Sequence, residues 1–216
     1  MTKPKIMGIG ELVWDLLPGG RQLGGAPVNF AYWCSRLGAE GYPVSAAGND
    51  NLGQEAFEQL AGTGIDLSYM QRNALPTGRV NVTLSGKGIP EYDIVEGVAW
   101  DALEADAETL GLATQADAVC WGSLAQRSEV SRKAIAAILR ATRPECLKVF
   151  DINIRQHWYN REIVTASLRQ ADVLKLNEDE LPLIASLLDI GKSGTEVIAE
   201  LIRMFSLRYV IYTAGP

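Results

Sequence analysis

Asp15 and Asn29 flank the glycine pair Gly24-Gly25, and these are residue types that hold a small polar ligand. Glycines without a Cβ let a ligand lie against bare backbone, while a carboxylate and an amide grip its hydroxyls. Asp15 alone reads as a turn residue after the first strand; Gly24, Gly25 and Asn29 beside it favour binding. A second cluster, Asp151-Ile152-Asn153-Ile154-Arg155, follows a strand of buried type and falls at its carboxyl end, where open α/β sheets bind ligands. There the Asn153 amide and the Arg155 guanidinium can hold phosphate or sugar oxygens, Arg being better suited than Lys to bidentate capture. A surface ion pair is the alternative for Arg155. Asn177 and Glu180 follow the next strand at the spacing of a helix capping box, although Pro182 argues for a helix that begins later. Gln126 and Arg127 also lie just past a strand end, within reach of a substrate, with Glu129 as an alternative partner for Arg127.

Other chemistries find little support. The single histidine, His157, leaves Ser-His or Cys-His catalysis one candidate base, and Cys34, Cys120 and Cys146 are too few and too scattered for a disulfide framework or a zinc cluster. They read as reduced core thiols. A net charge of −6 argues against nucleic acid as the main partner. No apolar run approaches the ~20 residues that span a bilayer, and Met1-Thr2-Lys3-Pro4-Lys5 leads into a strand rather than an apolar signal segment, so the expected location is the cytoplasm and no membrane partner is expected. Gly8 and Gly10 hint at a dinucleotide loop, but Val13 stands where its third glycine belongs. In Gly48-Asn49-Asp50-Asn51-Leu52-Gly53, Asp50 or Asn51 reads mainly as a helix cap.

The elements that must position these groups alternate. Apolar, β-branched runs at Ile6–Val13, Val44–Ala47, Ala118–Trp121, Leu147–Ile152, Val173–Leu176 and Tyr209–Tyr212 are separated by helical patterns, which predicts an α/β fold with a doubly wound, mostly parallel sheet covered by helices on both faces. A helix from Pro27 carries the stripe Phe30, Trp33, Cys34, Leu37 and closes at Gly38; another, capped by Thr195, carries Val197, Leu201, Met204 and Phe205. Thr77 to Trp100 alternates with period two on either side of Gly86-Lys87-Gly88-Ile89-Pro90 and predicts an inserted antiparallel hairpin. Asp15 to Gly24, turning at Pro18-Gly19-Gly20, predicts a shorter hairpin that joins it as a lid.

With these elements in view, Gly24-Gly25-Ala26-Pro27-x-Asn29-x-Ala31, followed by Gly38 and Gly48, resembles the N-terminal signature of the ribokinase-like (phosphofructokinase-B family) sugar kinases. Gly10-Glu11-Leu12-x-x-Asp15, Glu96-Gly97-Val98-Ala99-Trp100-Asp101 and Gly122-Ser123-Leu124 are most similar to its fructokinase branch. The resemblance runs from about Ile6 to Gly215 and implies one incomplete ribokinase-like domain over 1–216, with lid segments at about 12–24 and 77–100. It implies transfer of the γ-phosphoryl of ATP to a primary hydroxyl of a hexose such as fructose, with Asp15, Gly24, Gly25, Asn29, Asn153, Arg155 and Arg127 around the sugar. Asn177, Glu180, Thr213 and Gly215 would serve the nucleotide, Glu180 would serve Mg²⁺, a monovalent cation would assist, and pairing through the lid would give a homodimer. The family's catalytic aspartate sits in a G-A-G-D motif that no residue up to Pro216 matches, so no catalytic base is assigned and 1–216 alone is expected to be inactive. A 2-keto-3-deoxygluconate kinase, to which Asn153-Ile154-Arg155 with His157-Trp158 is similar, another sugar or nucleoside kinase of the family, and a silent sugar-binding module are the alternatives.

Overall fold

A computed structural model of the chain describes residues 2–17, 19–84 and 90–215. Seven parallel strands form the main sheet: β1 (Lys5–Ile9), β4 (Glu40–Gly48), β5 (Met70–Asn73), β8 (Ala118–Trp121), β9 (Leu147–Asp151), β10 (Val173–Asn177) and β11 (Tyr209–Thr213). Their order is β11-β10-β9-β8-β1-β4-β5. From β1 the chain winds first toward β5 and then, in the opposite direction, from β8 to β11. Right-handed crossovers therefore put the helices of the two halves on opposite faces. The reversal makes the carboxyl ends of β1 and β8 a topological switch point, the place where such sheets open a crevice. Buried apolar side chains, among them Met7, Ile9, Val119, Trp121, Phe150 and Leu174, lie side by side across four strands on one face of the sheet and form the core that fixes these ends.

Four more strands build a separate small sheet: β2 (Val13–Leu17), β3 (Gly20–Gly24), β6 (Arg79–Leu84) and β7 (Pro90–Ile94), in the order β3-β2-β6-β7. β2 pairs antiparallel with β3 and parallel with β6, and β6 pairs antiparallel with β7. The two expected hairpins thus share one sheet; the turn expected at Gly86-Lys87-Gly88-Ile89 lies outside the described residues. The single first strand expected over Ile6–Val13 is two, because Gly10, at φ 147°, breaks it and sends β2 into the small sheet. Trp14 ties that sheet to the body, its backbone N–H donating to Gly78 O and its indole to Leu52 O, both at 2.9 Å.

Helix α1 (Ala26–Arg36) forms where Pro27 predicts it, but it turns the other face inward. Trp33 is 61% and Leu37 86% exposed, while Pro27, Val28 and Ala31 are buried. The reason is backbone contact. A Cβ on Gly8 would lie 2.0 Å from Pro27 O, and one on Gly41 2.0 Å from Ala31 O. The helix rides so close to the sheet that only its small-residue face fits. Close packing, not a phosphate, is therefore what Gly8 serves. In α7 (Thr195–Phe205), Val197 and Leu201 are buried as expected, but Gly194 holds the cap position and Thr195 is already helical.

Candidate functional site

A cavity of about 590 Å³ opens at the switch point, between the carboxyl ends of the main strands and the small sheet. Asp15, Gly24, Gly25, Asn29, Asn153 and Arg155 all line it. The topology explains the convergence. Asp15 comes from β2 and Gly24 from the end of β3; Gly25 and Asn29 form the start of α1, and Asn153 and Arg155 leave β9. Val80 and Ile94 of the small sheet and Leu124 of the body supply apolar wall. Burial raises the Asp15 carboxyl above its usual range, and the Arg155 guanidinium opposes that rise. Asn153 takes a positive φ of 42°, a conformation Asn tolerates, and so turns its side chain into the site from the strand end.

The two adjacent glycines do different work. Gly25 has φ 125°, and a Cβ there would lie 2.2 Å from Glu11 O, so its place in the fold demands glycine. Gly24 meets only ordinary contacts, the nearest being Asp15 Oδ2 at 3.4 Å. Its missing side chain leaves open floor beside the Asp15 carboxylate.

Glu11, which the sequence presents only as part of the Gly10-Glu11 motif, is the least satisfied polar group of the site. It is 2% exposed; Oε1 accepts from Asn153 Nδ2 at 3.5 Å, and Oε2 has no partner. Burial pushes its pKa up to about 7, with the backbone N–H groups of Glu11 and Ala26 pulling down, Asp151 pushing up and Arg155 pulling down. Gln22, Tyr92 and Gln156 also line the cavity without a signal in the sequence, because their side chains reach it only once the small sheet is in place.

Asn177, Glu180, Thr213 and Gly215 stand outside this cavity, along the carboxyl ends of β10 and β11, where Asn177 pairs with Thr213. The capping-box reading is realised there. Glu180 N–H donates to Asn177 Oδ1 and Asn177 N–H to Glu180 Oε2, both at 2.8 Å, and Pro182 falls within the first turn of α6 (Glu180–Leu187), where no intrahelical donor is lost. Glu180 Oε1 accepts Ile154 N–H at 2.8 Å, which ties α6 to the Asn153–Arg155 loop. Glu178 Oε1 accepts Gly215 N–H at 2.8 Å. Among the described residues no group of three His, Cys, Asp or Glu side chains converges to hold a metal. Glu180 is 4% exposed with both oxygens engaged, so its fit is to an ion's bound waters rather than to the ion itself.

Arg127 is the expected sugar ligand that the structure does not bring to the cavity. Its Nε donates to Asp101 Oδ1 and its Nη2 to Asp101 Oδ2, both at 2.8 Å, and Nη2 also donates to Val95 O at 2.6 Å. The guanidinium lies 4.0 Å over the Trp100 ring and 5.1 Å over that of Trp158, with the Arg127 side chain 3% exposed. Sequence alone hid Asp101, the partner that claims it. Gln126 is buried as well, donating to Gly122 O and Ser167 Oγ. His157 packs at a tilt on Trp158, their ring centroids 4.1 Å apart, and does not line the cavity. Cys34, Cys120 and Cys146 are free thiols, and burial raises all three.

Residues 18–216 match the pfkB family carbohydrate kinases. The chain belongs to that family. Fructokinase of Klebsiella pneumoniae is 34% identical over 224 residues, covering 98% of this chain and 71% of the relative. An uncharacterised sugar kinase of Pyrococcus horikoshii, solved in complex with ATP, superposes with a TM-score of 0.75 at 26% identity, covering 84% of this chain and 66% of that one. A double-mutant fructokinase of Vibrio cholerae, solved with fructose, ADP and a potassium ion, has a TM-score of 0.81 at 22% identity and covers 99% of this chain and 71% of its own. As a pfkB kinase, the chain therefore spans about two thirds to seven tenths of the length of these relatives. Its parallel sheet and small mixed sheet are the ribokinase-like fold. No helix among the described residues is long and apolar enough to cross a membrane.

Proposed function

We propose that the cavity holds the acceptor of an ATP-dependent sugar kinase, and that the acceptor is a hexose, fructose, phosphorylated on a primary hydroxyl. The observation that carries this reading is the convergence of Asp15, Gly24, Asn29, Asn153 and Arg155, far apart in sequence, on one cavity beneath the small sheet. The 34% identity to a fructokinase supports the choice of sugar. In this reading Asp15 accepts hydrogen bonds from two hydroxyls and Arg155 steadies negative charge as the phosphoryl arrives. The small sheet acts as a lid that excludes water, a competing nucleophile. The nucleotide lies along Asn177, Glu180, Thr213 and Gly215, as the family resemblance implies. Glu180 would hold Mg²⁺ through the ion's waters, and the ion would supply neutralisation of the phosphate charge. A monovalent cation, a homodimer paired through the small sheets and a cytoplasmic location belong to the same proposal.

By that resemblance the hydroxyl proton is taken by the aspartate of a G-A-G-D motif, which no residue of 1–216 matches, so residues 1–216 bind the sugar without turning it over. Calorimetric titration tests the binding. Fructose should bind 1–216, and Asp15→Ala should weaken it by roughly tenfold or more, the loss of hydrogen bonds to a charged group. No heat with any sugar would sink the proposal, and phosphorylation of fructose by 1–216 with ATP and Mg²⁺ would overturn its catalytic part. A 2-keto-3-deoxygluconate kinase is the second reading, favoured by Arg155, whose guanidinium in the cavity wall suits the carboxylate of an acidic sugar. Tighter binding of ketodeoxygluconate than of fructose would select it.

A further inference from the structure

Gln156 follows Arg155 in the cavity wall, and its backbone takes a positive φ of 49°. A left-handed backbone is strained for a non-glycine residue, so side-chain contacts must help to hold it. Two hydrogen bonds do. Gln156 Nε2 donates to the carbonyl of Tyr92, on β7 of the small sheet, at 2.6 Å, and Gln156 Oε1 accepts from the Trp158 indole at 3.0 Å. The Trp158 ring faces the Arg127 guanidinium, whose Nη2 donates to Val95 O just past the same strand. Strand β7 is therefore gripped at Tyr92 and at its exit by one connected network. Tyr92 and Gln156 also meet across the cavity, one from the small sheet and one from the main-sheet loop that carries Asn153 and Arg155.

We propose that Gln156 is a positioning residue, a latch that fixes β7 against the Arg155 loop and so sets the fit of the acceptor sugar. The second half of this statement rests on the reading of the cavity as a sugar site. An amide suits the position because it donates to a carbonyl and accepts from an indole N–H at the same time. A carboxylate can only accept, and it would face the Tyr92 carbonyl with no proton between them. A protonated carboxyl regains both functions.

That difference gives the test. Fructose is titrated into the full chain, Q156A and Q156E between pH 4 and 7.5, and amide hydrogen exchange of residues 92–94 is followed without sugar at pH 7. Gln156 is exposed, so both variants should fold. Q156A should weaken fructose binding roughly 3- to 10-fold, the worth of one hydrogen bond. Q156E should weaken it by about tenfold or more at pH 7 and recover toward wild type as pH falls through about 4.3, where a glutamate protonates. The charged groups around this position, Arg155, His157 and Arg127 on the body and Asp93 on β7, are common to all three proteins, so the Q156A curve removes their own titration. Exchange at residues 92–94 should rise several-fold in both variants. Unchanged exchange overturns the latch whatever the sugar. Faster exchange with equal fructose affinity in all three proteins overturns its part in the sugar fit. Faster exchange with no fructose binding by the wild type supports the latch and overturns the sugar reading instead.

Discussion

Two buried glutamates mark the two sides of the molecule, and they are held in opposite ways. On the side of β10 and β11, Glu180 accepts from Ile154 N–H and Asn177 N–H at 2.8 Å, one on each oxygen. On the cavity side, Glu11 has one long contact and one oxygen with no partner, and burial raises its pKa to about 7. The first side is wired before any ligand arrives. The second carries an uncompensated polar group beneath its floor. The comparison teaches that a buried carboxylate is not one kind of object: Glu180 stitches three segments together, whereas Glu11 costs stability that only the needs of the site explain.

Substitutions separate the two environments by the size and sign of their effects. The largest loss should come from Arg127→Ala, which leaves Asp101 buried without its bidentate partner; urea unfolding should show destabilisation of about 4 kcal/mol. A loss below about 1 kcal/mol would mean the pair is not the fixed brace described. Glu180→Ala should cost about 3 kcal/mol, because it orphans the N–H groups of Ile154 and Asn177 in the same stroke. Glu11→Gln should act in the reverse direction. A carboxyl with a raised folded pKa stabilises most below its unfolded value near 4.5 and loses that contribution as pH rises through about 7. The variant should therefore gain on the order of 2 kcal/mol over wild type at pH 8 and nothing at pH 4, read from unfolding at both pH values. Equal stability at both would show that Glu11 is hydrated or paired and that the contrast is false. The smallest effect concerns the floor. Gly24→Ala should leave stability within about 0.5 kcal/mol of wild type while weakening fructose binding several-fold, since its methyl meets only ordinary contacts, the nearest being Asp15 Oδ2 at 3.4 Å.

The cavity groups were legible in the sequence because their spacing relative to strand ends is local. Asn29, Asn153 and Arg155 each sit where a strand stops or a helix starts, Asp15 follows close behind β1 within β2, and the alternation of elements sends those ends to one edge of a parallel sheet. What the sequence withheld were long-range pairings. Arg127 looked like a substrate ligand because Asp101, which takes its guanidinium, is a neighbour only after folding. The inward face of α1 was misread for a related reason. Trp33 and Leu37 make the more hydrophobic stripe, yet Gly8 and Gly41 admit the helix backbone so closely that the smaller face has to turn in. Glu11 gave no sign either, because the desolvation that raises its pKa comes from elements distant in the chain.

The small sheet joins the body at each end of both its hairpins, and two of those joins continue straight into the cavity, β2 from Glu11 and β3 into Gly25. The register sets all four joins along one edge of the sheet, where β2 and β6 start and β3 and β7 end, so it is mounted as a flap is. Asp15 and Gly24 belong to this sheet, so if it acts as the proposed lid, capture of a ligand and closure over it would form one event rather than two. A ligand that fits badly against Asp15 would then also leave the roof ajar, and discrimination among sugars would be felt in how long they stay more than in how fast they enter.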